Sequence, residues 1–194
     1  MKFLDNLRRY IQISGVGSIS RRFFIMNAFD GATTVLGVVV GAYAAGINNE
    51  SWVILSALGA TIAMGMSGFA GSYMAEEAES AKKLITLEKM MLTELKDSVV
   101  GKANRFASLW AALIGGGAPA LTGATCLLPF LFSAHGIVSA SLAIQMSIGV
   151  ALCIMFLLGA ILGKISCRNV VIHGAKMLAV GVLLTLIFFT LKLT

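Results

Sequence analysis

The residues with the richest chemistry fall in two places. Asp30, in Asn27-Ala28-Phe29-Asp30-Gly31, is the one acidic residue inside an otherwise apolar run. A carboxylate near lipid costs on the order of a few kcal/mol, and less close to an interface. It is therefore either a cation ligand or proton acceptor in a pathway, or the N-cap of a helix, a position Asp favours. The second place is the stretch Ala75 to Arg105. It carries Glu76, Glu77, Glu79, Glu88, Glu94 and Asp97 against Lys82, Lys83, Lys89, Lys96, Lys102 and Arg105. Helical spacing puts Glu76 and Glu79 on one face, and sets Met90 and Met91 one turn from Glu94. Carboxylate oxygens suit divalent cations such as Mn²⁺, and thioether sulfur favours softer ions. A mixed Glu/Met set leans towards Fe²⁺ or another transition metal over Ca²⁺ or Mg²⁺. The same charge pattern also describes a solvated amphipathic helix.

Other chemistry is sparse. Met64, Met66 and Met74 lie in an apolar run, where methionine ordinarily fills the core. His135 and His173 have no partner at ligand spacing. Cys126, Cys153 and Cys167 are odd in number and show no CxxC spacing, so neither a disulfide framework nor a zinc site is expected. An intramembrane aspartyl protease needs two carboxylates, and only Asp30 is placed for one. Cys167 and His173 lack a third, orienting group. No GxxxxGK[ST] sequence is present. The expectation is a protein that is not an enzyme and holds no tightly bound cofactor.

The elements that must position these residues follow from composition. Of 194 residues, 58% are hydrophobic and 12% charged, against roughly 25% charged in a soluble domain. The mean hydropathy is +0.90. A soluble enzyme, a disordered chain and a nucleic-acid-binding module are excluded, despite a net charge of +6. Five apolar runs are long enough to span a bilayer: Ala28 to Gly46, Trp52 to Met74, Phe106 to Phe132, Ile137 to Gly163 and Val170 to Leu191. They are too long and too uniformly apolar for barrel strands, so the class is all-α.

Of the 15 lysines and arginines, 14 fall on one side: in the N-terminal segment, in the stretch between spans two and three, and from the end of span four to Lys176 near the start of span five; Lys192 is the other. The positive-inside rule then places the N-terminus in the cytosol and the C-terminus outside or in a lumen. The first 25 residues have no compact apolar core, so no cleavable signal peptide is expected. Residues 1–26 are expected to form an interfacial amphipathic helix, with Phe3, Leu4, Leu7 and Ile11 on one face, broken at Gly15 and Gly17. Residues 27–75 and 106–194 make the transmembrane domain, and 76–105 a short cytosolic helical segment rich in Glu and Met. Stripes of small residues, Gly37, Gly41 and Ala45, then Ser56 and Ala60, then Gly68 and Ser72, let helices approach closely, within one subunit or between two. Pro119 and Pro129 kink or break span three.

The run Phe29-Asp30-Gly31-Ala32-Thr33-Thr34-Val35-Leu36-Gly37-Val38-Val39-Val40-Gly41 resembles the first span of the vacuolar iron transporter family. Gly71-Ser72-Tyr73-Met74-Ala75 with its following glutamates resembles the end of the second. Phe156 to Lys164 resembles the end of the fourth, and Gly174-Ala175-Lys176-Met177-Leu178 with Gly181 the start of the fifth. The similarity runs from Arg21 to the C-terminus.

The resemblance implies a five-span homodimer that moves Fe²⁺, and often Mn²⁺, out of the cytosol in exchange for protons. Its pathway would lie between the first two spans at the dimer axis, in a prokaryotic inner membrane or a eukaryotic vacuolar membrane. Asp30 matches the family's pathway aspartate. Glu76, Glu77 and Glu79 sit where its cytosolic metal-collecting glutamates begin, Glu88 follows them, and Met90, Met91 and Glu94 look like its paired-methionine motif. The family's second-span methionine and acidic residue fall here at Gly68 and Ser72. Met64, Met66 or Met74, with Ser72, would then line the pathway. Those two positions motivate the alternatives: a sensor or partner-binding membrane protein on the same fold, or a transporter of another solute.

Overall fold

The computed structural model describes residues 15–47 and 49–192. They form five helices: α1 Val16–Ala44, α2 Glu50–Met91, α3 Val99–Ala134, α4 Ala140–Ile165 and α5 Val170–Lys192. No strand occurs among the described residues. Each helix is long and apolar enough to cross a membrane.

The helix ends have local causes. Asn49 Oδ1 accepts the Ser51 N–H, Ser98 Oγ the Val100 N–H, Ser139 Oγ the Leu142 N–H, and Asn169 Oδ1 those of Val171 and Ile172. These cap the starts of α2 to α5. α1 to α4 each close on a residue with positive φ: Gly46, Leu92, Gly136 and Cys167. The next N–H reaches back five residues in every case, as from Thr93 to Glu88 O at 3.4 Å and from Arg168 to Gly163 O at 3.0 Å. This is the Schellman closure. Glycine takes that conformation freely, whereas Leu92 and Cys167 carry a Cβ penalty of about 1 kcal/mol. Leu92→Gly is therefore expected to stabilise the protein by roughly 0.5–1 kcal/mol, read as a raised thermal midpoint.

Several sequence expectations change. The amphipathic face of Phe3, Leu4, Leu7 and Ile11 lies outside the described residues. Gly15 does sit at a turn, with φ +64°, but Gly17 is inside α1 and breaks nothing. α1 starts well before Ala28 and takes Arg21 and Arg22 into the helix. α2 runs 42 residues, about 63 Å at 1.5 Å per residue, roughly twice a hydrocarbon core. Residues 76–105 are thus no separate helix. They are the continuation of α2, a turn over 92–98 and the start of α3. No Gly or Pro interrupts 75–91, and the Glu79–Lys83 pair at 3.6 Å supports the extension. α3 continues through Pro119 and Pro129 as helix.

The described residues group into two compact units, 15–24 with 65–117, and 25–64 with 118–192. In the first, α2 and α3 touch through small residues. A Cβ on Gly115 would land on Ser72 Oγ and lie 2.6 Å from Gly68 O, and one on Gly116 would lie 2.8 Å from Gly65 O. Trp110 Nε1 donates to Ser20 Oγ at 3.0 Å, and Asn104 Nδ2 to Ser80 O at 3.3 Å.

The second unit holds the apolar core. Ala32, Val35, Leu36, Val39 and Val40 follow helical spacing along α1 and meet Val53, Ala57, Cys126, Phe130, Ala143, Ala151 and Met155. Ser147 Oγ donates to Cys126 O at 2.7 Å, which satisfies the one buried hydroxyl of α4. α4 and α5 form a tight hairpin. A Cβ on Gly159 would lie 2.9 Å from Gly174 Cα, and one on Gly163 2.9 Å from Val170 Cα.

Candidate functional site

Asp30 lies 14 residues into α1, counting from Val16. That is about four turns inside the helix, so it is no N-cap. Its neighbour Gly31 makes a close crossing with α3. A Cβ there would strike Thr122 Oγ1 and lie 2.7 Å from Pro119 Cα and 2.8 Å from Pro119 O. Asn27, one turn before Asp30, is buried, as is Ala28. Asp30 itself is exposed. Among the described residues its carboxylate forms no hydrogen bond and no ion pair.

Farther along α1, the small-residue stripe does two jobs. Gly41 faces Phe188 of α5, where a Cβ would lie 3.2 Å from the ring. Gly37 and Gly41 also border an open, mostly apolar groove of about 550 Å³ with Val38, Trp52, Val53 and Ser56. Asp30 does not line it. Met64, also in this unit, is half-buried.

In the other unit, Ser72 is 4% exposed and packs on Gly115. Met66 and Met74 are exposed, so these three do not share one surface. Gly68 and Ser72 thus serve contact within the chain, one of the two uses the small-residue stripes allowed.

The glutamates part company. Glu76 is 2% exposed, yet its Oε2 lies 3.7 Å from Arg22 Nη2, a side chain 66% exposed. Ser80 Oγ donates to Glu76 Oε1 at 3.4 Å. Glu76 and Glu79 line one polar cavity of about 410 Å³ with Ser18, Ile19, Arg22, Ala75 and Lys83. Glu77 instead faces a second cavity and accepts the Tyr73 hydroxyl at 3.4 Å. Glu88 is used in the turn, where Oε1 accepts the Leu95 N–H at 2.8 Å. Met90 and Met91 are exposed at the end of α2. Glu94 lies beyond the break at Leu92, so helical spacing no longer relates it to the methionines. Among the described residues no three His, Cys, Asp or Glu side chains converge as a metal-binding group.

Arg22 is the residue that sequence reasoning missed. It stands far from Glu76 along the chain, and no local spacing announces the pair. Removing one partner of a buried pair is costly because the other charge stays behind. Here the cost is discounted for the water around Arg22. Arg22→Ala is expected to destabilise by about 1–2 kcal/mol. Lys83→Ala, which breaks an exposed pair with Glu79, is expected to cost about 0–1 kcal/mol. Thermal unfolding of the two variants side by side checks the order.

No family model matches the chain, and no solved structure matches it. An uncharacterized protein of Methanocaldococcus jannaschii is 31% identical over 179 residues, which cover 91% of this chain and 90% of that relative.

Proposed function

We propose a function for a chain that belongs to the family of the Methanocaldococcus jannaschii protein MJ0645: it is a membrane transporter that moves a divalent transition metal, Fe²⁺ or Mn²⁺, out of the cytosol in exchange for protons. The five helices insert with the N-terminus in the cytosol, where the lysines and arginines gather, and two copies pair.

One observation carries this reading. Asp30 is an exposed carboxylate in the middle of an apolar helix, with no partner among the described residues. Ionisable groups inside a membrane do not face hydrocarbon; they face a cavity or another protein surface. An aqueous path, bordered by the second copy, supplies that setting for Asp30. A carboxylate must lose its proton to bind a cation, so metal and proton compete for it. That competition is the core of an antiport cycle. The resemblance to vacuolar iron transporters supports the same assignment. Glu76 and Glu79, which line one polar cavity, would collect the ion on the cytosolic side. Mn²⁺ uptake into proteoliposomes under an imposed proton gradient tests the assignment. Gradient-independent, background-level uptake by folded protein would overturn it.

A second reading rests on Ser72. Where the resembled family carries an acidic residue, this chain buries a hydroxyl against Gly115. A sensor or partner-binding protein on the same fold would bind metal without moving it. Metal binding without flux would select this reading.

A further inference from the structure

The cavity that Glu77 faces holds chemistry the transport reading leaves unused. It measures about 240 Å³ and lies in the unit formed by residues 15–24 and 65–117. α2 contributes Tyr73, Glu77, Ser80 and Leu84, the turn contributes Lys96, and α3 contributes Gly101, Asn104, Arg105 and Ser108. Its walls are therefore two cations, one carboxylate, and hydroxyl and amide groups over an aliphatic floor. The only ion pairs among the described residues are Arg22–Glu76 and Lys83–Glu79. Lys96 and Arg105 thus line the cavity without a carboxylate partner. Glu77 already accepts the Tyr73 hydroxyl, and Ser108 and Asn104 are tied to backbone carbonyls.

The turn that carries Lys96 lies close to α3. A Cβ on Gly101 would strike Lys96 O and lie 2.8 Å from Leu95 O. With glycine there, the Lys96 carbonyl approaches the start of α3 closely. The place along the chain is also informative. Tyr73 stands at the end of the second apolar run, and Arg105 immediately precedes the third. Both walls therefore reach the cavity where apolar chain gives way to charge. Basic pockets between helices at the cytosolic border recognise phospholipid headgroups. Paired cations of this kind suit phosphate oxygens.

We propose that this cavity binds a phosphate ester, with the phosphate on Lys96 and Arg105 and a hydrogen-bond donor of the esterified group on Glu77. A glycerophospholipid headgroup and a soluble glycerol phosphate share that chemistry. The site depends on the apolar helices lying in a bilayer, and not on metal transport.

The test is native mass spectrometry of the full chain in detergent, titrated with phosphatidylglycerol. Wild-type protein is expected to retain one lipid with an affinity at least about tenfold above that of the Lys96→Gln, Arg105→Gln double variant. The charge-preserving Lys96→Arg, Arg105→Lys protein is expected to keep it. Lys82→Gln with Lys89→Gln removes the same charge from exposed α2 positions outside the cavity and is expected to change retention less than twofold. Equal retention by wild type and the Lys96/Arg105 Gln variant, with both eluting as folded protein, overturns the site. So does an equal loss in the Lys82/Lys89 variant, which would reduce the effect to general charge attraction. Titration with sn-glycerol 3-phosphate and with inorganic phosphate separates the sources. Displacement of the lipid by either, lost in the double variant, makes a soluble phosphate compound the ligand; retention of lipid against both makes the ligand a lipid of the bilayer.

Discussion

Asp30→Asn protein is expected to fold and elute as wild type does, and to lose at least about tenfold of proton-driven Mn²⁺ flux, the equivalent of 1.4 kcal/mol or more. The change keeps the size and shape of the side chain. It removes both the negative charge that would attract the cation and the group that would exchange it for a proton. Because the carboxylate has no partner among the described residues, its loss leaves no orphaned group behind. Stability is expected to stay the same or rise, since the amide replaces a charge that no neighbour among the described residues neutralises. Unchanged stability with lost flux would assign Asp30 to the pathway. Wild-type flux from this variant would remove the carboxylate from the mechanism.

The second large effect is structural and lies one residue away. Gly31→Leu is expected to cost more than about 3 kcal/mol, the upper end of ordinary overpacking, and to abolish the yield of folded protein. The atoms a Cβ would meet are Pro119 Cα and O, which are backbone, as well as the buried Thr122 hydroxyl. Neither helix can step aside by rotating a side chain. Gly149→Leu makes a matched control. It sits in helix α4 with nothing within 4 Å of the added carbon, so its effect is expected within about 0.5 kcal/mol of zero. Comparable yields for the two variants would show that the α1–α3 crossing at Gly31 is looser than the structure gives it.

These two neighbours also mark what the sequence could reveal. Asp30 stood out because a lone carboxylate in an apolar run is costly, and cost is legible from composition. Gly31 carried no such mark. Its role depends on Pro119 and Thr122, which only the fold brings near. The same division holds elsewhere. Five long helices followed directly from five apolar runs, and Gly46 and Gly136 lie at the closures where glycine is the favoured residue. Leu92 and Cys167 make the same closure without glycine, so no residue type signalled them. The end of the second apolar run was readable at Met74, but hydropathy measures affinity for lipid and not helix continuity. α2 therefore continues to Met91 through a charged stretch that hydropathy treats as loop. Glu76 and Glu79 shared a face as their spacing required, whereas Met91 and Glu94 were parted by the closure at Leu92. The burial of Glu76 against Arg22 was invisible for a simpler reason: no periodicity relates residues on different helices. The glycines Gly159, Gly163 and Gly174 entered the sequence reading only as part of a family likeness. Their physical reason is the close α4–α5 hairpin.

Proton-coupled metal transport is read out by a single flux measurement. Purified protein is reconstituted into sealed vesicles, and Fe²⁺ and Mn²⁺ entry is followed with a proton gradient imposed in either direction or absent. Proton antiport gives saturable entry that rises when protons are concentrated inside the vesicle, falls when the gradient is reversed, and is accompanied by proton release from the lumen. Entry that ignores the gradient, or no entry at all from protein shown to be folded and inserted, would contradict it.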